Sequence, residues 1–141
     1  MKARLVLTLG LVLSAASCGG DGVIDAVVGP PASAPTLTAL QESIFTPKCA
    51  LRGGLCHVST PAAEMDLSAG KTFTSTVRVV SLESPNFERV SPGNAANSYL
   101  YMKIVGDPRI IGERMPVVGD LLSPAELAAV RAWIDAGAKD N

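Results

Sequence analysis

The sequence has few aromatic residues and one histidine. Phe, Tyr and Trp together make up 4% of its 141 residues, so few rings are available to fill a core. The formal net charge is −1, and no basic stripe carries interleaved aromatics, which disfavours nucleic acid as a partner. No glycine-rich phosphate loop follows a strand, so nucleotide binding has no support. The length supports one domain. Because so small a domain has a low free energy of unfolding, a covalent cross-link or a cofactor would contribute substantially to its stability.

The N-terminus has the pattern of a secretion signal. Lys2 and Arg4 precede an apolar stretch over residues 5–16, which is too short to span a bilayer. Cys18 follows, and the segment resembles a bacterial lipoprotein signal. The resemblance implies that residues 1–17 are removed and that Cys18 is acylated, which attaches the protein to a membrane. The alternative is an ordinary signal peptide cleaved near Ala16, with Cys18 free.

Glycine and proline recur over residues 18–35, which we interpret as a flexible tether. We therefore expect the folded domain to cover residues 36–141, with a protein secreted across the inner membrane as a periplasmic or outer-membrane lipoprotein.

The pattern of the domain predicts a mostly α fold with long irregular loops. Thr36 or Thr38 could cap a first helix whose apolar face includes Leu37 and Phe45, and Pro47 is expected to end it. β-Branched residues over 76–82 suggest a short strand or an extended segment that wraps a ligand. A second helix is predicted over 95–105.

The last helix has the clearest boundaries. Ser123 is a good N-cap, Pro124 fits the first helical position, and Glu126 completes a capping box. Trp133 is expected on the buried face, and Gly137 stands where a C-cap glycine belongs.

The cysteines and the histidine carry the candidate chemistry. If Cys18 is acylated, Cys49 and Cys56 remain as a pair, and His57 directly follows the second of them. Two thiols and an adjacent imidazole suit a haem c site, because the thiols can form thioethers to the porphyrin and the imidazole can bind the iron. Six residues separate the cysteines, where two are usual. A Cys49–Cys56 disulfide is the main alternative, and a zinc site is a further one.

The surrounding motifs resemble the small cytochrome-c-like domains of bacterial surface and periplasmic proteins, and the resemblance covers nearly all of residues 36–139. Besides the cysteine pair and histidine, the following motifs carry it, in this order: Ile44-Phe45, Met65-Asp66-Leu67-Ser68, Ser91-Pro92-Gly93, Asn97-Ser98-Tyr99-Leu100, Arg114-Met115-Pro116, Leu122-Ser123-Pro124-Ala125-Glu126 and Trp133-Ile134-Asp135-Ala136-Gly137-Ala138.

The resemblance implies a cytochrome-c-like fold with covalent haem c, in which His57 and Met115 bind the iron from opposite sides. A thioether favours reduced iron, so His/Met ligation raises the reduction potential. Met102 lies within a predicted helix, and Met65 is close to His57 in sequence, so Met115 is the preferred distal ligand.

Two functions follow as expectations. The first is an electron-transfer haem protein of the bacterial cell envelope, whose partners are envelope redox proteins. The alternative is a non-haem lipoprotein stapled by Cys49–Cys56, with a binding or structural role. An enzyme is not expected, because six-coordinate iron leaves no open position for a substrate.

Overall fold

The structure is a computed structural model that describes residues 33–50, 56–58 and 62–141. The expected signal segment, Cys18 and most of the tether lie outside the described residues. The expectation of a mostly helical fold is confirmed. Pairing between extended segments is limited, in the described ranges, to the isolated bridges Val77–Val90, Val80–Glu88 and Glu88–Ser98.

The first helical segment runs past the proline that was expected to end it. Helix α1 covers Leu37–Leu40, and the Thr36 hydroxyl accepts a hydrogen bond from the Ala39 N–H at 3.1 Å. The chain then continues as a π-helix over Gln41–Cys49 with Pro47 inside it. The prediction that Pro47 terminates the helix is therefore wrong. Proline clashes with the carbonyl four residues earlier in an α-helix, and the wider π turn pairs residues five apart instead.

The middle of the domain is mostly irregular. Helix α2 covers Thr72–Thr76, so the strand predicted over 76–82 is replaced at its start by the end of a helix. The left-handed backbone of Arg78, with φ of 59°, interrupts the extended path that a continuous strand needs. What remains of the predicted strand is the bridging at Val77 and Val80.

The helix predicted over 95–105 forms in two pieces. A 3₁₀ turn covers Ala95–Asn97, and helix α3 covers Tyr99–Val105. Ser98 between them is extended, and its hydroxyl donates to the Asn94 carbonyl at 2.9 Å and accepts from the Ser91 N–H at 2.8 Å. These local hydrogen bonds compete with helical pairing and separate the two pieces.

Helix α4 covers Pro124–Asp135 and matches its prediction closely. Ser123 and Glu126 form the capping box, and Gly137 follows the helix with φ of 104°. Trp133 is buried, its ring meets that of Phe45 edge to face at 6.3 Å between centroids, and its Nε1–H donates to the Lys139 carbonyl at 2.9 Å. The last helix therefore packs on the first helical segment, and Trp133 lies on its buried face as expected.

The core lies between these helices and includes Leu40, Ile44, Phe45, Val90, Leu100, Ile104, Val130, Trp133 and Ile134. Among the helices that the structure describes, none has the length and apolar character needed to cross a membrane.

Candidate functional site

A cavity beside this core brings the four predicted site residues together. Its empty volume is about 1010 Å³, counting the part open to solvent. Cys49, Cys56, His57 and Met115 all line it. Its walls come from the π-helix, α3, the segments around residues 63–67 and 81–89, and residues 115–118. Val117 and Val118 are more than half exposed, so this wall reaches the protein surface.

The two cysteines are brought close by a main-chain contact. The His57 N–H donates to the Cys49 carbonyl at 3.2 Å, which joins the two ends of the segment between the cysteines. The Ala50 N–H donates to the Phe45 carbonyl at 2.7 Å, and the Leu67 N–H donates to the His57 carbonyl at 2.8 Å. The wide spacing in sequence therefore does not separate Cys49 from His57 in the fold.

Cys49 and Cys56 are free thiols, and both are partly buried. Burial raises the pKa of the Cys49 thiol from 9.0 to about 11, and the nearby Cys56 adds to the rise. Desolvation disfavours the charged thiolate, so Cys49 remains a neutral thiol at neutral pH.

A hydrogen bond to the main chain of Met65 helps to orient His57. Nδ1 of His57 lies 3.0 Å from the main-chain carbonyl oxygen of Met65. A carbonyl only accepts hydrogen bonds, so Nδ1 carries a proton in this contact, and in a neutral imidazole the lone pair is then on Nε2. Metal-binding histidines commonly donate from one ring nitrogen to a carbonyl in this way.

Two hydrogen bonds connect the segment that carries Met115 to the end of α3. The Met115 N–H donates to the Lys103 carbonyl at 2.9 Å, and Arg114 Nε donates to the Ile104 carbonyl at 2.9 Å. Met102 is buried in α3 and does not line the cavity. Met65 does line it, together with Met115.

Two buried cations also line the cavity, and no sequence motif signals either of them. Lys103 pairs with Glu83 at 3.0 Å and donates to the Ile111 carbonyl at 2.8 Å. Arg89 donates to three main-chain carbonyls, those of Ala63, Glu64 and Ser75. Burial lowers the pKa of the Arg89 guanidinium, and the nearby Glu64 opposes that shift.

Within the described ranges, no group of three His, Cys, Asp or Glu side chains is arranged to hold a metal ion. In comparisons with known proteins, no family model, curated protein or solved structure matches the chain.

Proposed function

We propose that this chain is an electron-transfer protein of the bacterial cell envelope, with a small cytochrome-c-like domain that binds haem c. Cys49 and Cys56 would hold the group through thioethers, and His57 and Met115 would be its axial ligands. The haem, when bound, supplies an iron centre that exchanges one electron. The proposed partners are redox proteins of the envelope.

The observation that supports the proposal is the cavity shared by these four residues. Their chemistry fits the group, because both cysteines are free thiols and a neutral imidazole that donates from Nδ1 has its lone pair on Nε2. The apolar side chains of Phe45, Leu100 and Ile104 also line the cavity, and such a lining suits a porphyrin and limits the access of water to the iron.

Covalent attachment is the first test. The full chain would be produced with and without a cytochrome c maturation system, purified, denatured and examined by visible absorption. We expect the denatured protein to keep its haem spectrum, because thioethers survive when the iron ligands dissociate. A variant with Cys49→Ser and Cys56→Ser should lose the colour. Colourless protein with a Cys49–Cys56 disulfide in peptide mapping would instead establish the stapled, non-haem lipoprotein.

Met115→Leu tests the distal ligand. Leucine fills similar space but has no donor atom, so the variant should retain haem and show a lower reduction potential. Met102→Leu is the matched control, because Met102 is buried outside the cavity, and it should leave the potential unchanged. Equal potentials in all three proteins would eliminate Met115 as the ligand.

We also propose that Cys18 is acylated and anchors the protein to a membrane. Wild-type protein should then partition with membranes, and Cys18→Ser should move it to the soluble envelope fraction. Stable anchoring requires more than one acyl chain, since a single chain binds only marginally. Intact mass would reveal the acyl groups, and an unmodified N-terminus at another residue would contradict the proposal.

A further inference from the structure

The carbonyl that orients His57 follows a strained turn. Ala63 and Glu64 have φ of 54° and 55°, a left-handed backbone that residues with a Cβ adopt at a cost. Met65 comes directly after them, and its carbonyl oxygen lies 3.0 Å from Nδ1 of His57. The position of that oxygen therefore depends on whatever holds the turn in its unfavourable conformation.

The side chain of Arg89 holds the turn. Its Nη2 donates to the Ala63 carbonyl at 2.7 Å, and its Nη1 donates to the Glu64 carbonyl at 3.1 Å and to the Ser75 carbonyl at 2.7 Å. The guanidinium thus links both left-handed residues to the end of α2. A planar, forked donor presents Nη1 and Nη2 to different carbonyls at fixed positions, whereas an ammonium offers a single nitrogen on a flexible stem.

The backbone of Arg89 is itself fixed. Its N–H donates to the Val79 carbonyl at 2.6 Å, and its carbonyl accepts from the Leu100 N–H of α3 at 2.9 Å. With 7% of its surface exposed, Arg89 is also buried. A rigid connection therefore runs from α3 through Arg89 to the turn at Ala63 and Glu64.

We propose that Arg89 is a positioning residue for His57. Its guanidinium holds the left-handed turn, the turn places the Met65 carbonyl, and that carbonyl keeps the proton of His57 on Nδ1 and the lone pair on Nε2. The role of the oriented imidazole as an iron ligand rests on the proposed function. The orientation itself belongs to the chain and exists without haem.

The test uses the full chain with Cys18→Ser, prepared without haem and with reduced thiols. His57 is the one histidine in the sequence, so ¹⁵N NMR of the imidazole at alkaline pH reads its tautomer without overlap. We expect Nδ1–H to predominate in this protein. Arg89→Lys keeps the charge but cannot span the carbonyls, and it should lower the ratio of Nδ1–H to Nε2–H several-fold. Arg131→Lys changes an arginine that is largely exposed, and it should leave the ratio unchanged.

A rescue separates positioning from general stability. Glycine adopts positive φ without the penalty of a Cβ, so Ala63→Gly added to Arg89→Lys should restore much of the Nδ1–H tautomer. Ala138→Gly is the control, because Ala138 also has positive φ, at 48°, in a different part of the chain. Added to Arg89→Lys, it should not restore the tautomer.

The outcomes distinguish the two proposals. Predominant Nε2–H in the protein with native Arg89 would overturn the inference even if Arg89→Lys failed to fold, and so would an unchanged ratio in folded Arg89→Lys. The predicted tautomer changes in a protein that never acquires haem would uphold positioning and refute the proposed function. If haem attaches, Arg89→Lys should also alter the electron paramagnetic resonance spectrum of the oxidised protein, and Ala63→Gly should reverse the change.

Discussion

Lys48 and Glu126 form an ion pair between the first and last helical segments of the domain, with 2.8 Å between Nζ and Oε1. The same carboxylate caps α4, because the Ser123 N–H donates to its Oε2 at 2.7 Å. Since Lys48 directly precedes Cys49, the pair connects the candidate site with the start of the last helix.

This arrangement predicts a loss of stability in acid. The hydrogen bond from Lys48, followed by that from the Ser123 backbone, lowers the pKa of Glu126 from 4.5 to about 2. A carboxyl whose folded pKa lies below its unfolded value stabilises the fold above the unfolded pKa and loses that contribution as pH falls. Wild-type protein should therefore lose stability relative to Glu126→Gln as the pH falls from about 4.5 to about 2.

Urea unfolding across that pH range would measure the effect. Lys48→Met removes the largest cause of the low pKa. Glu126→Gln changes the pH dependence of the free energy of unfolding. This change should therefore be smaller in the Lys48→Met background than in the wild-type background. A difference of the same size in both backgrounds would show that Lys48 does not set the pKa of Glu126.

Trp133→Ala should destabilise the domain by about 3–5 kcal/mol, the usual cost of removing a buried large aromatic side chain. The ring is 2% exposed and contacts Phe45 edge to face. Trp133→Phe is the matched variant: it retains a ring but loses the hydrogen bond to the Lys139 carbonyl, and it should cost less. Chemical denaturation would compare the proteins, and a loss under about 1 kcal/mol for the alanine variant would contradict the packing of Trp133 in the core.

Gly106→Ala should disturb the segment that carries Met115. Gly106 has φ of +77°, and a Cβ placed there would lie 2.9 Å from Cδ of Arg114. Gly70→Ala is the matched control, because its φ is +76° and no atom lies within 4 Å of the added Cβ. Both substitutions incur backbone strain of about 1 kcal/mol or more. In urea unfolding, Gly106→Ala should lower the free energy of unfolding by more than Gly70→Ala does.

The backbone amide of Met115 provides a local readout of the same change. It donates to the Lys103 carbonyl, so its hydrogen exchange should be faster in Gly106→Ala than in Gly70→Ala. Equal stability and equal exchange in the two variants would show that Arg114 moves aside without affecting Met115.

Cys49 should react slowly with alkylating reagents in haem-free protein. Its pKa is raised to about 11, and the thiolate is the reactive form. In a protein with Cys18→Ser and Cys56→Ser, burial still raises the pKa of Cys49, although Cys56 no longer adds to the rise. Mass spectrometry should show slower alkylation of the folded protein than of the same protein unfolded in urea at neutral pH. Equal rates would mean that Cys49 is exposed.

The elements that the sequence predicted well are those whose signals are local. Ser123, Pro124 and Glu126 define the start of α4 through contacts within one turn, and the structure has the same capping box. Leu37 and Phe45, predicted on the apolar face of the first helix, are likewise buried.

The errors arose where nonlocal contacts decide the conformation. Nothing near Pro47 in sequence signals a π-helix, and nothing around Arg78 signals its left-handed backbone. Arg89 had no recognisable motif, because the carbonyls that its guanidinium contacts lie 14 to 26 residues away. Cys49, Cys56 and His57 could be grouped from their residue types and order, and Met115 was added by the resemblance, whereas the hydrogen bond between His57 and the Met65 carbonyl required the fold.

The hydrogen bond from the His57 N–H to the Cys49 carbonyl positions the histidine without reference to the number of residues between the cysteines. Because this hydrogen bond positions His57 directly against Cys49, a change in the length of the connection need not move the histidine from the cavity. We expect descendants of a common ancestor to differ here in cysteine spacing while their histidine keeps its place beside the cavity.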